Sequence, residues 1–146
     1  SPLRSRHAMV ALVAQRTMGA LALSALAGLV AACGGADNQQ LYDAAQNHAP
    51  TEVTVSGTVT AILPDAPAGA DGPHERFDAD FGQGITCEID HNLSLAPRAP
   101  LGVGTQVVVK GQYEPDPSGC VIHYTHHSTS RSHESGYVEV AGQQYS

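Results

Sequence analysis

Val53, Val55, Gly57, Val59, Ala61 and Leu63 alternate with Glu52, Thr54, Ser56, Thr58 and Thr60. A period of two puts the apolar set on one side of an extended chain, so a long strand with one buried face is expected. Gly57 falls in mid-strand on the apolar side, where a missing side chain permits a sharp bend or a close backbone approach. Small closed barrels turn corners this way. The Pro- and Gly-rich segment 64–73 reads as a loop. Alternation resumes with Phe77, Ala79 and Phe81 on one face and His74, Arg76, Asp78 and Asp80 on the other. Gly82-Gln-Gly84 is a hairpin-sized turn. Ile85, Cys87 and Ile89 then mark a third strand ending at His91-Asn92. Gln106 to Tyr113 reads as a fourth strand and Gly119 to Thr125 as a fifth, joined by a Pro-rich turn. Tyr137 to Ala141 adds a short terminal strand, and Leu93 to Gly104 is either a short helix or a packed loop.

Five strands, a long bent first one and an irregular stretch between the third and fourth predict an all-β domain over residues 51–146. Its expected form is a small five-stranded OB-like Greek-key barrel. A β-sandwich is the alternative that fits the same spacing. Residues 33–50 are small, polar and amide-rich, and read as a tether, although Leu41 to Gln46 has room for a turn or two of helix.

Residues 1–32 read as an export leader, with Met9 or Met18 as its start. Arg4, Arg6 and Arg16 precede a run of 15 apolar and small residues, Met18 to Ala32. That run is short of the ~20 that a bilayer-spanning helix needs. It ends in Val30-Ala-Ala-Cys33, a lipobox pattern, so Cys33 is the expected acylation site. The resulting lipoprotein would be membrane-anchored in the bacterial cell envelope and face the periplasm. Gly34 after the acylated cysteine points to the outer membrane.

Beyond the leader, four basic side chains remain against all fourteen acidic ones, a balance of −10. Such a surface repels phosphate backbones, and without Trp few rings are available to stack bases. Nucleic acid is not an expected partner. In an oxidising compartment Cys87 and Cys120 are expected to form a disulfide, with a soft metal site or two buried thiols as alternatives.

The candidate chemistry lies in the histidines. Four of the eight fall between Cys120 and Gly136, at 123, 126, 127 and 133. In a regular strand His123 and His126 would face opposite ways, so they can share a site only if the strand ends or bulges near Thr125. His74 opens the second strand and His91 closes the third. A site assembled at the strand ends from His74, His91, His123, His126 and His133 would suit a divalent metal such as Zn²⁺ or Cu²⁺. Glu75, Asp78, Asp90 and Glu134 would be supporting carboxylates or an additional ligand. His48 and His127 read as solvated. Arg76 is either ion-paired or an anion clamp, and Asn92 either a turn residue or a ligand contact.

Three functions remain open. One is a non-enzymatic module whose pocket binds a metal or small polar ligand. The second is a hydrolase in which a metal activates water or His91 or His123 acts as general base; its nuclease-like OB form fits the acidic balance poorly. The third is a structural or interaction protein.

Residues 51–146 resemble domain-of-unknown-function family 3465, small bacterial exported proteins marked by an H-W-T-H motif. Here the motif stands as His123-Tyr-Thr-His126. Matching segments are His74-Glu-Arg-Phe77, His91-Asn-Leu-Ser-Leu-Ala-Pro-Arg98, Gly111-Gln-Tyr-Glu114, His133-Glu-Ser-Gly-Tyr137 and Tyr145. Tyr124 and Tyr137 replace tryptophans, and Cys87 and Cys120 are peculiar to this branch. The resemblance carries no established activity. It singles out His74, Arg76, His91, Asn92, His123, Thr125, His126 and His133, and places Tyr124 among the ligand-binding candidates.

Overall fold

The computed structural model describes residues 35–146 except Ser118. The expected leader, lipobox and acylation site at Cys33 lie outside the described residues. Among the described residues one helix, α1 (Asn38–Asn47), precedes seven strands: β1 (Thr51–Gly69), β2 (Gly72–Asp80), β3 (Thr86–Asn92), β4 (Gln106–Asp116), β5 (Gly119–His123), β6 (Tyr137–Val140) and β7 (Gln143–Tyr145). Among the described residues no helix is long and apolar enough to cross a membrane.

Five strands form a ring. β1 pairs with β2, β2 with β3, β3 with β5, β5 with β4, and β4 returns to β1. All these pairs are antiparallel except β3–β5. This is the connectivity of an OB-like Greek-key barrel. β1 serves two neighbours in succession, pairing with β4 from Thr51 to Thr58 and with β2 from Thr58 onward. The hand-over comes at Thr58, next to Gly57, the glycine at which the sequence leads one to expect a bend or close approach. A Cβ there would stand 2.5 Å from the Asp80 carbonyl oxygen and 2.7 Å from the Phe81 ring.

The alternating apolar residues fill the ring: Val53, Val55, Val59, Phe77, Ala79, Ile89, Val107, Val109, Tyr113 and Ile122 are buried together. The Cys87–Cys120 disulfide is present. It sits one residue before the only two partner pairs of the parallel seam, Glu88 with Val121 and Ile89 with Ile122. The bridge therefore reinforces the shortest pairing in the ring.

Three segments depart from expectation. Residues 38–47 of the expected tether are helical and packed on the barrel, with Leu41 and Ala44 buried. Asp37 caps the helix by accepting from Gln39 N. The Asn38 side chain bonds both the N–H and the carbonyl of Ser56. The apolar spacing was too short to reveal this, because only one turn of the helix is buried. The expected loop 64–73 instead continues the β1–β2 hairpin, with register shifts at Val59/Ala61, Leu63/Ala66 and Ala66/Gly69. Beyond Thr58, β1 has one neighbour only, so the N–H groups missing at Pro64 and Pro67 break no second ladder. Finally, β7 extends the terminal strand into a hairpin through Ala141-Gly142, both at positive φ.

The stretch from Leu93 to Thr105 is a packed loop without helix. Buried Glu75 accepts from Ala99 N at 2.9 Å, and Asn92 accepts from Ser94 N. Burial raises the Glu75 carboxyl above its usual range. The role expected of it as a metal-supporting carboxylate is thus replaced by anchoring this loop.

A histidine pocket at one rim of the barrel

α1 sits at the rim where β2 ends, its Tyr42 hydroxyl donating to the Phe81 carbonyl at 2.6 Å. The other rim, where β2 begins and β3 and β5 end, carries a cavity of about 370 Å³. Asp71 and His74 enter it from the β1–β2 turn and the start of β2, Asp90 and Asn92 from the end of β3. His123, Tyr124, His126 and His133 come from the end of β5 and the loop that follows.

That loop owes its place to the edge of β4. β5 pairs with Gln112 to Asp116 and β6 with Val107 to Lys110 on the same edge. Residues 124–136 bridge the gap between them. β5 stops at His123, and Tyr124 turns left-handed at φ 57°. The turn breaks the strand's alternation, which is why His123 and His126 line the same cavity. Gly136 fits beneath it. A Cβ there would lie 2.3 Å from the carbonyl oxygens of both Lys110 and Tyr124. Gly136 N closes the loop by donating to the His126 carbonyl at 2.9 Å.

Inside the cavity the rings are ordered against each other. Tyr124 is stacked between His123 at 3.9 Å and His133 at 4.3 Å, centroid to centroid. His126 meets His133 edge-on at 5.0 Å and 87°. Three imidazoles share one hydrogen-bonding pattern. Nδ1 of His74 meets Gly72 O at 2.9 Å, Nδ1 of His126 meets His127 O at 2.9 Å, and Nδ1 of His133 meets Glu134 O at 2.7 Å. A carbonyl only accepts, so the proton sits on Nδ1 and the neutral ring keeps a lone pair on Nε2. His123 differs: its Nε2 lies 3.5 Å from Glu114 Oε1.

The remaining candidates are elsewhere employed. His91 is fully buried and absent from the cavity lining. Its Nε2 meets Pro97 O at 3.0 Å and its Nδ1 meets Thr125 Oγ1 at 2.8 Å. Pro97 O must accept, so Nε2 carries the proton and the Thr125 hydroxyl donates to Nδ1. With neither lone pair available, His91 in this arrangement is neither a metal ligand nor a general base. Thr125, also fully buried, is its partner rather than a ligand contact. Arg76 donates to Glu88 at 2.6 Å and lies 3.8 Å from Asp90, outside the cavity lining. It is therefore ion-paired and not an anion clamp. Asn92 reaches the cavity, but its amide is committed to Asp71 O and Ser94 N. Among the described residues, no group of three His, Cys, Asp or Glu side chains is already set to hold a metal ion. Asp71 was missed by sequence reasoning, although the Asp71-Gly72 pair is a hairpin-turn signal.

Burial sets the electrostatics. It holds His91 below the usual imidazole value, and likewise His123, where Glu114 partly offsets it. Burial and then neighbouring Glu88 push Asp90 up to about 6. These two histidines bind protons less readily folded than unfolded, so their contribution is complete above the unfolded value, near 6.5, and is lost as pH falls through the folded one. Asp90 acts oppositely, since protonation below about 6 favours its folded form. Thermal unfolding followed from pH 7 to 5 should show the midpoint falling, with stability lost by up to ~1.4 kcal/mol per pH unit for each such proton. Asp90→Asn removes one counterweight, raised Glu75 being another, and should steepen the fall; flat profiles in both proteins would contradict this assignment.

The family model described as Protein of unknown function (DUF3465) matches residues 21–146. The chain belongs to this family. No curated protein and no solved structure matches it. In this DUF3465 chain the H-Y-T-H residues divide by role. His123, Tyr124 and His126 face the cavity, and Thr125 turns inward to His91.

Proposed function

We propose that this domain is a non-enzymatic module of the bacterial cell envelope that binds a small cation in its histidine pocket. Lipidation at Cys33 would hold it at the membrane, facing the periplasm; that part rests on the leader and lipobox pattern of residues 18–33.

The observation that carries the reading is the inventory of the cavity wall. His74, His126 and His133 offer Nε2 lone pairs, and Asp71 and Asp90 offer carboxylates. Neither Lys nor Arg is among the lining residues. A wall rich in acceptors and negative charge recognises a ligand that brings positive charge or donors. It disfavours phosphates and carboxylates. The domain's acidic balance acts in the same direction at longer range.

Thermal unfolding of the mature, tag-free chain tests this. Zn²⁺ or Cu²⁺ at about 100 times its dissociation constant should stabilise by ~2.7 kcal/mol, with inorganic phosphate inert. Stabilisation by phosphate and not by either cation would sink the reading.

A further inference from the structure

We infer that the cation is a single divalent transition ion taken by Nε2 of His74, His126 and His133, with residues 127–135 as the moving half of the site. The inference rests on the cation reading above and adds its ligands and its mechanics.

The ligand set follows from the hydrogen bonds. Each of these three rings has Nδ1 bound to a backbone carbonyl, which fixes the tautomer and points to Nε2 as the donor atom. His91 has no free nitrogen, and His123 has Glu114 beside its Nε2. Neutral imidazole suits borderline ions such as Zn²⁺ and Cu²⁺ better than Mg²⁺ or Ca²⁺. The His126–His133 pair supports this. With metal–nitrogen bonds near 2 Å, two imidazoles sharing a tetrahedral ion place their centroids about 5 Å apart. The observed separation is 5.0 Å, with the rings nearly perpendicular. Asp71 and Asp90 on the same wall supply negative charge.

The mechanics follow from what holds the loop. Residues 127–135 join no strand. Ser128 N donates to Ser135 Oγ at 2.9 Å, and Ser130 Oγ meets Ser132 Oγ at 2.6 Å, so the loop is knit largely to itself. It meets the barrel through the His133 ring on Tyr124 and His126 and the partly exposed Lys110–Glu134 pair at 3.4 Å. His74 and His126 belong to the barrel rim, whereas His133 travels with the loop. No three donors are in place among the described residues, so the three rings can share one ion only if the loop shifts. Tyr124 is then a positioning residue, the platform that keeps His133 near its partners.

Calorimetric titration of the mature, tag-free chain with Zn²⁺ should give one site per chain. Losing even an outer partner of a metal ligand costs roughly 10–100-fold in affinity, so His74→Ala, His126→Gln and His133→Ala should each lose at least that much. His127→Ala, which leaves the His127 carbonyl in place, should bind as wild type does. Zn²⁺ should also slow amide exchange across 127–135 in wild type but not in His133→Ala; the latter variant changes a partly exposed ring, so folding is not at stake. Undiminished binding by His133→Ala, or loop exchange indifferent to Zn²⁺, overturns this ligand set while leaving a cation pocket standing. Failure of any divalent transition ion to bind wild type overturns both.

Discussion

His91→Ala should be among the most damaging single substitutions in the domain, destabilising it by roughly 3–5 kcal/mol. The loss has two sources. Truncating a fully buried ring leaves a cavity that the surrounding strands fill only in part. It also strands the Thr125 hydroxyl and the Pro97 carbonyl, which the ring joins at 2.8 and 3.0 Å. Those partners hold the two irregular segments next to the pocket, the packed loop after β3 and the turn after β5. Thr125→Val keeps the shape and removes only the hydroxyl donor, so its effect should be smaller, about 1–3 kcal/mol. Urea unfolding of both variants beside His126→Gln would measure the ranking. A His91→Ala protein as stable as wild type would contradict the structural role given to this residue.

The second large effect is expected at the disulfide. Replacing Cys87 and Cys120 together by alanine should lower stability by about 3–4 kcal/mol, on the chain-entropy account of a closed loop of this length. The bridged residues are 33 apart in sequence and 4.8 Å apart between Cα atoms. The structural consequence is local. The β3–β5 seam has two partner pairs, against seven for β2–β3 and eight for β1–β4. Amide exchange should therefore rise first along β3 and β5 when the bridge is removed. A double variant with unchanged urea midpoint and unchanged protection at this seam would show that the two pairs close the ring unaided.

Much of the barrel was legible because each strand has one wet face. Val53 to Val59 and Val107 to Tyr113 announce themselves by alternation, and Gly57 announces the corner. What alternation could not show was structure held by other means. α1 buries little more than Leu41 and Ala44 and is secured largely by Asn38 and Tyr42. β7 is Gln-Gln-Tyr, without an apolar period, and its turn uses Ala141 at φ 51° where Asn or Gly would have been recognisable. The pocket was half legible. The clustering of His123, His126 and His133 and the strand end near Thr125 were readable, and His74 could be placed at the same rim. Separating His91 from the others was not possible, because its fate depends on Pro97 O and Thr125 Oγ1, whose positions are set by loop conformation rather than by spacing.

One arrangement has a bearing on how such a domain diversifies. β5 and β6 both register on the same edge of β4, and the His126–Gly136 hydrogen bond ties the ends of what lies between. Scaffold and loop are thus nearly separable, and doubling the length of the loop would add only ~0.6 kcal/mol of closure entropy. Residues there can be exchanged, or added, without rebuilding a single ladder.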